Sequence, residues 1–229
     1  MLVQDIMTQQ VVAIDPDMPI GDVYALMQQR DIRHFPIVED TSAGASTLVG
    51  IVSDRDIRLV GSALPQAPEG VKLADPVRKL MSSPVITTHP SDAVEESASL
   101  LRRKKIGAMP VLDEGELVGI VSAIDFLEAL VRMTGVHRAA SRLEVELTSD
   151  PSALAELSAA VASQGITILS VLSSQDDPAS GTLVVSLRVT TIDIGKLARH
   201  LRSQSFNVIW PPEPPQTVGH TLASNAEHA

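Results

Sequence analysis

The apolar positions of this chain form short runs and helical stripes in a fixed order, and up to about residue 134 that order occurs twice. The first pass begins with an apolar run over 11–14, closed by the turn-forming pair Asp15-Pro16. From Pro19 onward Ile20, Val23, Leu26 and Met27 recur at spacings of three and four, with Asp17 and Asp22 near the positive end, which predicts a helix. Residues 33–38 read as the next strand, confined to an edge or an irregular place by Pro36. A small, polar stretch over 41–47 predicts a surface loop. The apolar run after it passes through Gly50 into a second helical stripe at Ile57, Leu59 and Val60.

The second pass predicts a strand over 85–88, a turn and helix cap over 89–92, and a helix over 93–105 with Val94, Ala98 and Leu101 on one face. A strand over 109–112, a hairpin turn at Glu114-Gly115 and a strand over 117–121 lead into the stripe Phe126, Leu127, Leu130 and Val131. Each pass has a short helical lead-in, over 3–8 and over 77–81, that reaches a methionine. Between them, residues 61–75 hold Gly61, Pro65, Pro68 and Gly70 with few large apolar side chains, the signature of a linker.

Beyond residue 142 the rhythm changes. Residues 143–147 alternate as a half-buried strand, and Asp150-Pro151 then opens a helix lined by Leu154, Leu157 and Val161 and ended by Gly165. Strands over 166–172 and 182–189 flank a polar loop over 173–181. Asp193 caps a second helix carrying Ile194, Leu197 and Leu201, and 206–210 is the last strand. This βαββαβ order predicts a ferredoxin-like unit. The tail over 211–229 has four prolines and few apolar residues, so it is expected to be disordered.

The internal repeat can be followed residue by residue. Met7 matches Met81, Pro16 matches Pro90, Ile32 matches Ile106 and Pro36 matches Pro110. After the longer loop of the first copy, Gly50-Ile51-Val52-Ser53-Asp54-Arg55-Asp56 matches Gly119-Ile120-Val121-Ser122-Ala123-Ile124-Asp125. Both read Gly-apolar-apolar-Ser-x-x-Asp at a strand-to-helix turn. There a hydroxyl and unpaired helix-start amides lie one helical turn from a carboxylate, a donor and acceptor set suited to a sugar diol beside a phosphate. A plain helix cap is the other reading of Asp56 and Asp125. Arg33 and His34 precede Phe35-Pro36, as a solvent-facing strand edge or as cations toward a phosphate, whereas their counterparts Gly107 and Ala108 carry no charge. Arg55 stands between two acids that could pair with it, and Arg102 to Lys105 reads as a solvated helix end.

The order of elements, with these Pro, Gly, Ser and Asp landmarks recurring together, resembles tandem CBS domains. The resemblance implies that two repeats form one module binding an adenosine nucleotide (AMP, ADP or ATP) between them. Asp56 and Asp125 would meet ribose hydroxyls with Ser53 and Ser122 beside them. It also implies a base between the first strand and the apolar-Pro strand of a repeat, near Ile14, Phe35 and Pro36 for one site and near Thr87, Met109 and Pro110 for the other. Thr87 offers a hydroxyl where Ala13 offers only backbone, so the two pockets are not equivalent. Arg33, His34 and Arg55 complete the candidate set.

Composition narrows the function further. At 229 residues and 44% apolar content the chain can bury a sizeable core. Its net charge of −10 argues against a nucleic-acid-coating surface and against anionic membranes as partners. There is no cysteine, hence no disulfide, thiol nucleophile or Cys-based metal site, in keeping with a reducing, cytoplasmic setting. No stretch approaches the ~18 apolar residues of a spanning helix. The histidines have no partner at ligand spacing, and no nucleophile elbow, phosphate loop or paired-carboxylate motif occurs, so neither a metal nor catalysis is expected.

The βαββαβ segment, with Asp150-Pro151 opening its first helix and Gly165-Ile166 leading into a strand, resembles an ACT domain. Family members that bind amino acids usually carry Gly and Asn where Ser152 and Thr167 lie in this neighbourhood, and without the Gly a ligand carboxylate has less room at the backbone. Two CBS repeats followed by an ACT-like domain is also the order found in acetoin-utilisation proteins, which implies a place in acetoin or related carbon metabolism. The reading is therefore α/β and α+β: repeat 1 over 1–60, a linker over 61–76, repeat 2 over 77–136, an ACT-like domain over 142–210 and a tail over 211–229. The resemblance implies a non-catalytic homodimeric regulator that passes its nucleotide state to the ACT-like domain and to a regulated enzyme. A scaffold with vestigial pockets is the alternative.

Overall fold

The computed structural model describes residues 1–40, 46–175 and 178–213. The chain divides into two compact units, Met1–Leu130 and Val131–Ala229.

In the first unit, α1 (Ile20–Arg30) begins after Pro19, carries Asp22 in its first turn and Arg30 in its last, and stops at Asp31 with φ of 52°. It is followed by a hairpin of β1 (His34–Asp40) and β2 (Ser46–Ser53), then by α2 (Asp54–Leu59). The second copy has α3 (Val94–Lys104), stopped by Lys105 with φ of 55°, the hairpin of β3 (Ala108–Asp113) and β4 (Glu116–Ser122), and α4 (Ala123–Met133). The acids Glu95 and Glu96 open α3 while Arg102, Arg103 and Lys104 close it, each sign facing the favourable end of the helix dipole. Both hairpins shift register at the same place, Ile37/Val38 and Val111/Leu112.

Two local expectations change. The strands predicted over 11–14 and 85–88 are extended segments that make only single parallel bridges, Ile14 with Ile37 and Thr88 with Val111. The turn after each, at Asp15-Pro16 and His89-Pro90, leads the chain away before a ladder can grow. Asp92 does not cap α3, whose N-cap is Ala93. It accepts instead from His89 N at 2.8 Å and Thr88 Oγ1 at 2.7 Å, closing the turn.

The lead-ins exchange partners. Val3 is buried with Val94, Leu101, Met109, Val111 and Phe126 of the second repeat, while Val77 is buried with Ile20, Val23, Phe35 and Ile57 of the first. The two methionines explain the motif glycines. A Cβ on Gly50 would lie 2.3 Å from Met81 Sδ, and one on Gly119 would lie 2.6 Å from Met7 Sδ. Each repeat thus lends its lead-in to the other's hairpin, and each glycine is small because a methionine from the opposite repeat lies over it.

The second unit contains β5 (Ser141–Thr148), α5 (Ala153–Ala162), β6 (Ile168–Ser174), β7 (Thr182–Val189), α6 (Ile194–Ser203) and β8 (Asn207–Trp210). Its four-stranded antiparallel sheet has the order β6-β7-β5-β8. Strand side chains Leu143, Val145, Leu147, Val185, Leu187 and Val189 are buried with Leu157, Val161, Leu197 and Leu201 from the helices. The unit is ACT-like, and Asp193 caps α6 by accepting from Lys196 N at 2.9 Å. The Ser152 hydroxyl donates to Glu156 Oε1 at 2.6 Å, so this substitution for glycine is tied into its own helix. At the start of the predicted tail, Arg202 Nη2 donates to Pro211 O at 2.6 Å. The remainder of that tail beyond residue 213, residues 41–45 of the first loop and residues 176–177 of the later one lie outside the described residues.

Candidate functional site

The candidate site grows from the ends of the hairpins. Pairing of His34 with Ser53 brings the start of β1 beside the end of β2, and Asp54 N donates to Arg33 O at 3.0 Å as α2 begins. Ser53 and Asp56 form a capping box: Ser53 N donates to Asp56 Oδ2 at 3.0 Å, Ser53 Oγ donates to the same oxygen at 2.6 Å, and Asp56 N returns a bond to Ser53 Oγ at 3.3 Å. The second copy repeats the side-chain contacts, with Ser122 N and Oγ at 2.6 and 2.7 Å from Asp125 Oδ2. Both aspartates are therefore caps in the protein alone. Every bond that the two carboxylates accept here ends on Oδ2, so the second carboxylate oxygen takes no part in the cap.

A cavity of about 560 Å³ opens at the first of these turns. One side is Arg33, His34 and residues 51–56 of the first repeat, and the other is Ser82, Pro84, Val85, Ile86 and residues 105–108 of the second. Of the residues singled out in the sequence, Arg33, His34, Ser53, Arg55 and Asp56 meet there. Ile14, Phe35, Pro36, Thr87, Met109, Pro110, Ser122 and Asp125 do not line it. Ile14 and Phe35 belong to the first core and Met109 to the second, and both prolines are buried. The apolar wall beside the Ser53–Asp56 turn comes from the other repeat, because the exchanged lead-in (Ser82 N to Ile51 O, 2.9 Å) carries Val85 and Ile86 there.

Lys105 is the lining residue that sequence reasoning left on a solvated helix end. Its signal was positional: it aligns with Asp31, and both hold the left-handed conformation that ends a helix just before the cavity loop. Arg55 is not consumed by the neighbouring acids. Asp54 pairs with Arg58 at 3.0 Å and Asp56 is held by Ser53, and among the described residues no carboxylate lies within ion-pair distance of Arg55 or Lys105. Burial pushes the His34 imidazole below its usual pKa, partly opposed by Asp54 and Asp56, while Arg33 and Arg55 lower it further. The net effect disfavours the charged imidazole. His34 sits against Gly107, where an added Cβ would lie 2.5 Å from its Nε2.

Elsewhere, His89 lies with its Nδ1 2.7 Å from Ser91 Oγ and its Nε2 3.1 Å from Asp113 Oδ1. All three residues are exposed and none lines the cavity. Among the described residues no group of three or more His, Cys, Asp or Glu could hold a metal ion, and no helix is long and apolar enough to cross a membrane.

The CBS domain family model matches residues 3–62 and 77–132. The chain belongs to the CBS domain family and carries a tandem pair of these domains. It is 32% identical over 123 residues to the CBS domain-containing protein YhcV of Bacillus subtilis, a match covering 54% of this chain and 81% of that protein. The structure of a protein assigned to acetoin utilization (AcuB) from Vibrio cholerae is 29% identical with a TM-score of 0.49, covering 59% of this chain and 94% of that one. CBSX2 in complex with AMP is 26% identical with a TM-score of 0.48, covering 57% of this chain and 96% of that one. A tandem CBS pair followed by an ACT-like sheet is a non-catalytic regulatory architecture.

Proposed function

We propose that this protein is a regulator that binds one adenosine nucleotide per chain in the cavity between its CBS repeats. The observation that carries the reading is the meeting of Arg33, His34, Arg55 and Lys105 with the Ser53–Asp56 cap and the apolar Val85 and Ile86 in a single hollow. Its volume of about 560 Å³ lies within the roughly 300–1,000 Å³ typical of small-ligand pockets. Val85 and Ile86 provide an apolar wall for a base, the carboxylate of Asp56 accepts from a ribose diol, and the cations attract phosphate. The pseudo-symmetric position lacks two of these cations: Ile124 stands where Arg55 does, and Asp31 where Lys105 does. That exchange of two positive charges for an apolar and a negative residue supports a single phosphate-bearing site.

Nucleotide state would pass to the ACT-like domain, and through it to a regulated enzyme, as a population shift between arrangements, with couplings of typically ~1–3 kcal/mol. We also propose a homodimer. Ile124, Leu127, Leu130 and Met133 repeat every three residues along α4 and are 62%, 55%, 47% and 43% exposed, an apolar stripe that a second copy would cover. The finer assignment to acetoin or related carbon metabolism follows from domain order, and slowed growth on acetoin after deletion of the gene is its expected consequence.

The scaffold alternative has its own support, since Asp56 is already engaged as a cap. Thermal-shift measurements with AMP, ADP, ATP and S-adenosylmethionine separate the two. The regulator reading expects stabilisation by a phosphate-bearing ligand, whereas no shift with any of the four at millimolar concentration leaves the scaffold.

A further inference from the structure

The second unit carries a cavity that the nucleotide reading does not use. On β5 and β7, Arg142 lies directly opposite Arg188 in the antiparallel register. Like charges at directly paired positions repel, so this arrangement is unfavourable unless something of opposite charge accompanies it. Arg142 has a carboxylate partner in Glu144, two residues along its strand. Among the described residues no carboxylate lies within ion-pair distance of Arg188. Both arginines line a hollow of about 220 Å³ together with Ser170, Ser186, Leu172 and Thr134.

The lining hydroxyls are already committed as donors. Ser186 Oγ donates to Glu144 Oε1 at 2.7 Å, Ser170 Oγ to Thr134 O at 2.8 Å, and Thr134 Oγ1 to Val131 O at 2.7 Å. The donors left for a ligand are therefore guanidinium N–H groups, those of Arg188 and those of Arg142 beyond its contact with Glu144. A planar fork with several free donors matches a carboxylate or phosphate oxygen pair. The hollow is smaller than the roughly 300–1,000 Å³ of pockets that hold drug-sized ligands, and it is concave, which favours a small molecule over a protein surface. Leu172 adds an apolar contact at its side.

We infer that the Arg142–Arg188 hollow is a binding site for a small oxyanion, a compact carboxylate or a phosphate. It is separate from the cavity at Asp56 and stands or falls independently of it. Binding is followed on the full-length protein through the arginine Nε–Hε resonances and by calorimetry, with inorganic phosphate and malonate as separate probes. The expected result is saturable movement of the Arg188 resonance by at least one probe, and the stronger of the two identifies the oxyanion class. Arg188→Ala weakens that binding about tenfold or more, the loss expected for a charge-assisted contact. Arg188→Lys keeps the charge but loses the fork, and falls between. In the absence of the probe, Arg188→Ala also raises the thermal midpoint at low salt, because the cross-strand repulsion is gone. No saturable shift with either probe at tens of millimolar, or equal binding by Arg188→Ala, overturns the inference.

Discussion

At the scale of single residues, the proposed site sets His34 beside Asp56 in one cavity. Burial lowers the His34 pKa in the protein alone, whereas a phosphate placed beside it would raise it. The sign follows from linkage. Without ligand, the unfolded chain binds the proton more readily than the folded one, so stability falls as pH drops below the ordinary value of about 6.5 toward the lowered folded value. With a phosphate-bearing ligand the bound state gains the proton, so affinity should rise as pH falls from neutral toward 6. Calorimetry in buffers of different ionisation enthalpy reads that uptake directly. His34→Gln should abolish it, and an uptake that persists in the variant would assign the proton to another group. The aspartates show how far residue-level reading reaches. The recurrence of Ser-x-x-Asp announced a strand-to-helix turn, and the turns are there, with the aspartates engaged as the caps that the other reading expected. That the first of them opens on this cavity was not legible, because that depends on Val85, Ile86 and Lys105 arriving from the other repeat.

At the scale of elements, the exchanged lead-ins tie the two repeats into one folding unit. Met81 lies over Gly50 and Met7 over Gly119, so each hairpin is finished by the opposite copy. Gly50→Ala places a Cβ within 3.0 Å of Met81 Cβ as well as of the thioether, and the overpacking should cost about 1–3 kcal/mol in chemical denaturation. Met81→Ala combined with Gly50→Ala should recover part of that loss, since the smaller side chain makes room for the new methyl. Purely additive losses in the double variant would mean that the two residues do not restrain each other. Helical periodicity was the most readable feature of the chain, and α1, α3, α5 and α6 follow it closely. The extended segments before Pro16 and Pro90 were overread as strands because apolar runs look alike whether or not a ladder forms. The bridges at Ile14 and Thr88 are all that the following turns allow. The glycines could be located but not explained from sequence, since the methionine above each is remote in the chain.

At the scale of the whole molecule, a tandem CBS pair and an ACT-like sheet share one chain, and the proposed dimer rests on the exposed stripe of α4. Sedimentation velocity at micromolar concentration should show a dimer, and Leu127→Glu, which puts a charge at the middle of the stripe, should yield monomers. A monomer in both proteins would remove the dimer from the account. The central claim is a single nucleotide site per chain, at Asp56 and not at Asp125. It is tested most directly by calorimetric titration of the ligand that stabilises the protein best, comparing the parent with Asp56→Asn and Asp125→Asn. Asparagine keeps a carbonyl acceptor for the serine cap, so either change removes charge with little loss of the turn. The account predicts one nucleotide per chain, binding lost with Asp56→Asn and retained with Asp125→Asn. Two nucleotides per chain, or binding that survives Asp56→Asn, would contradict it.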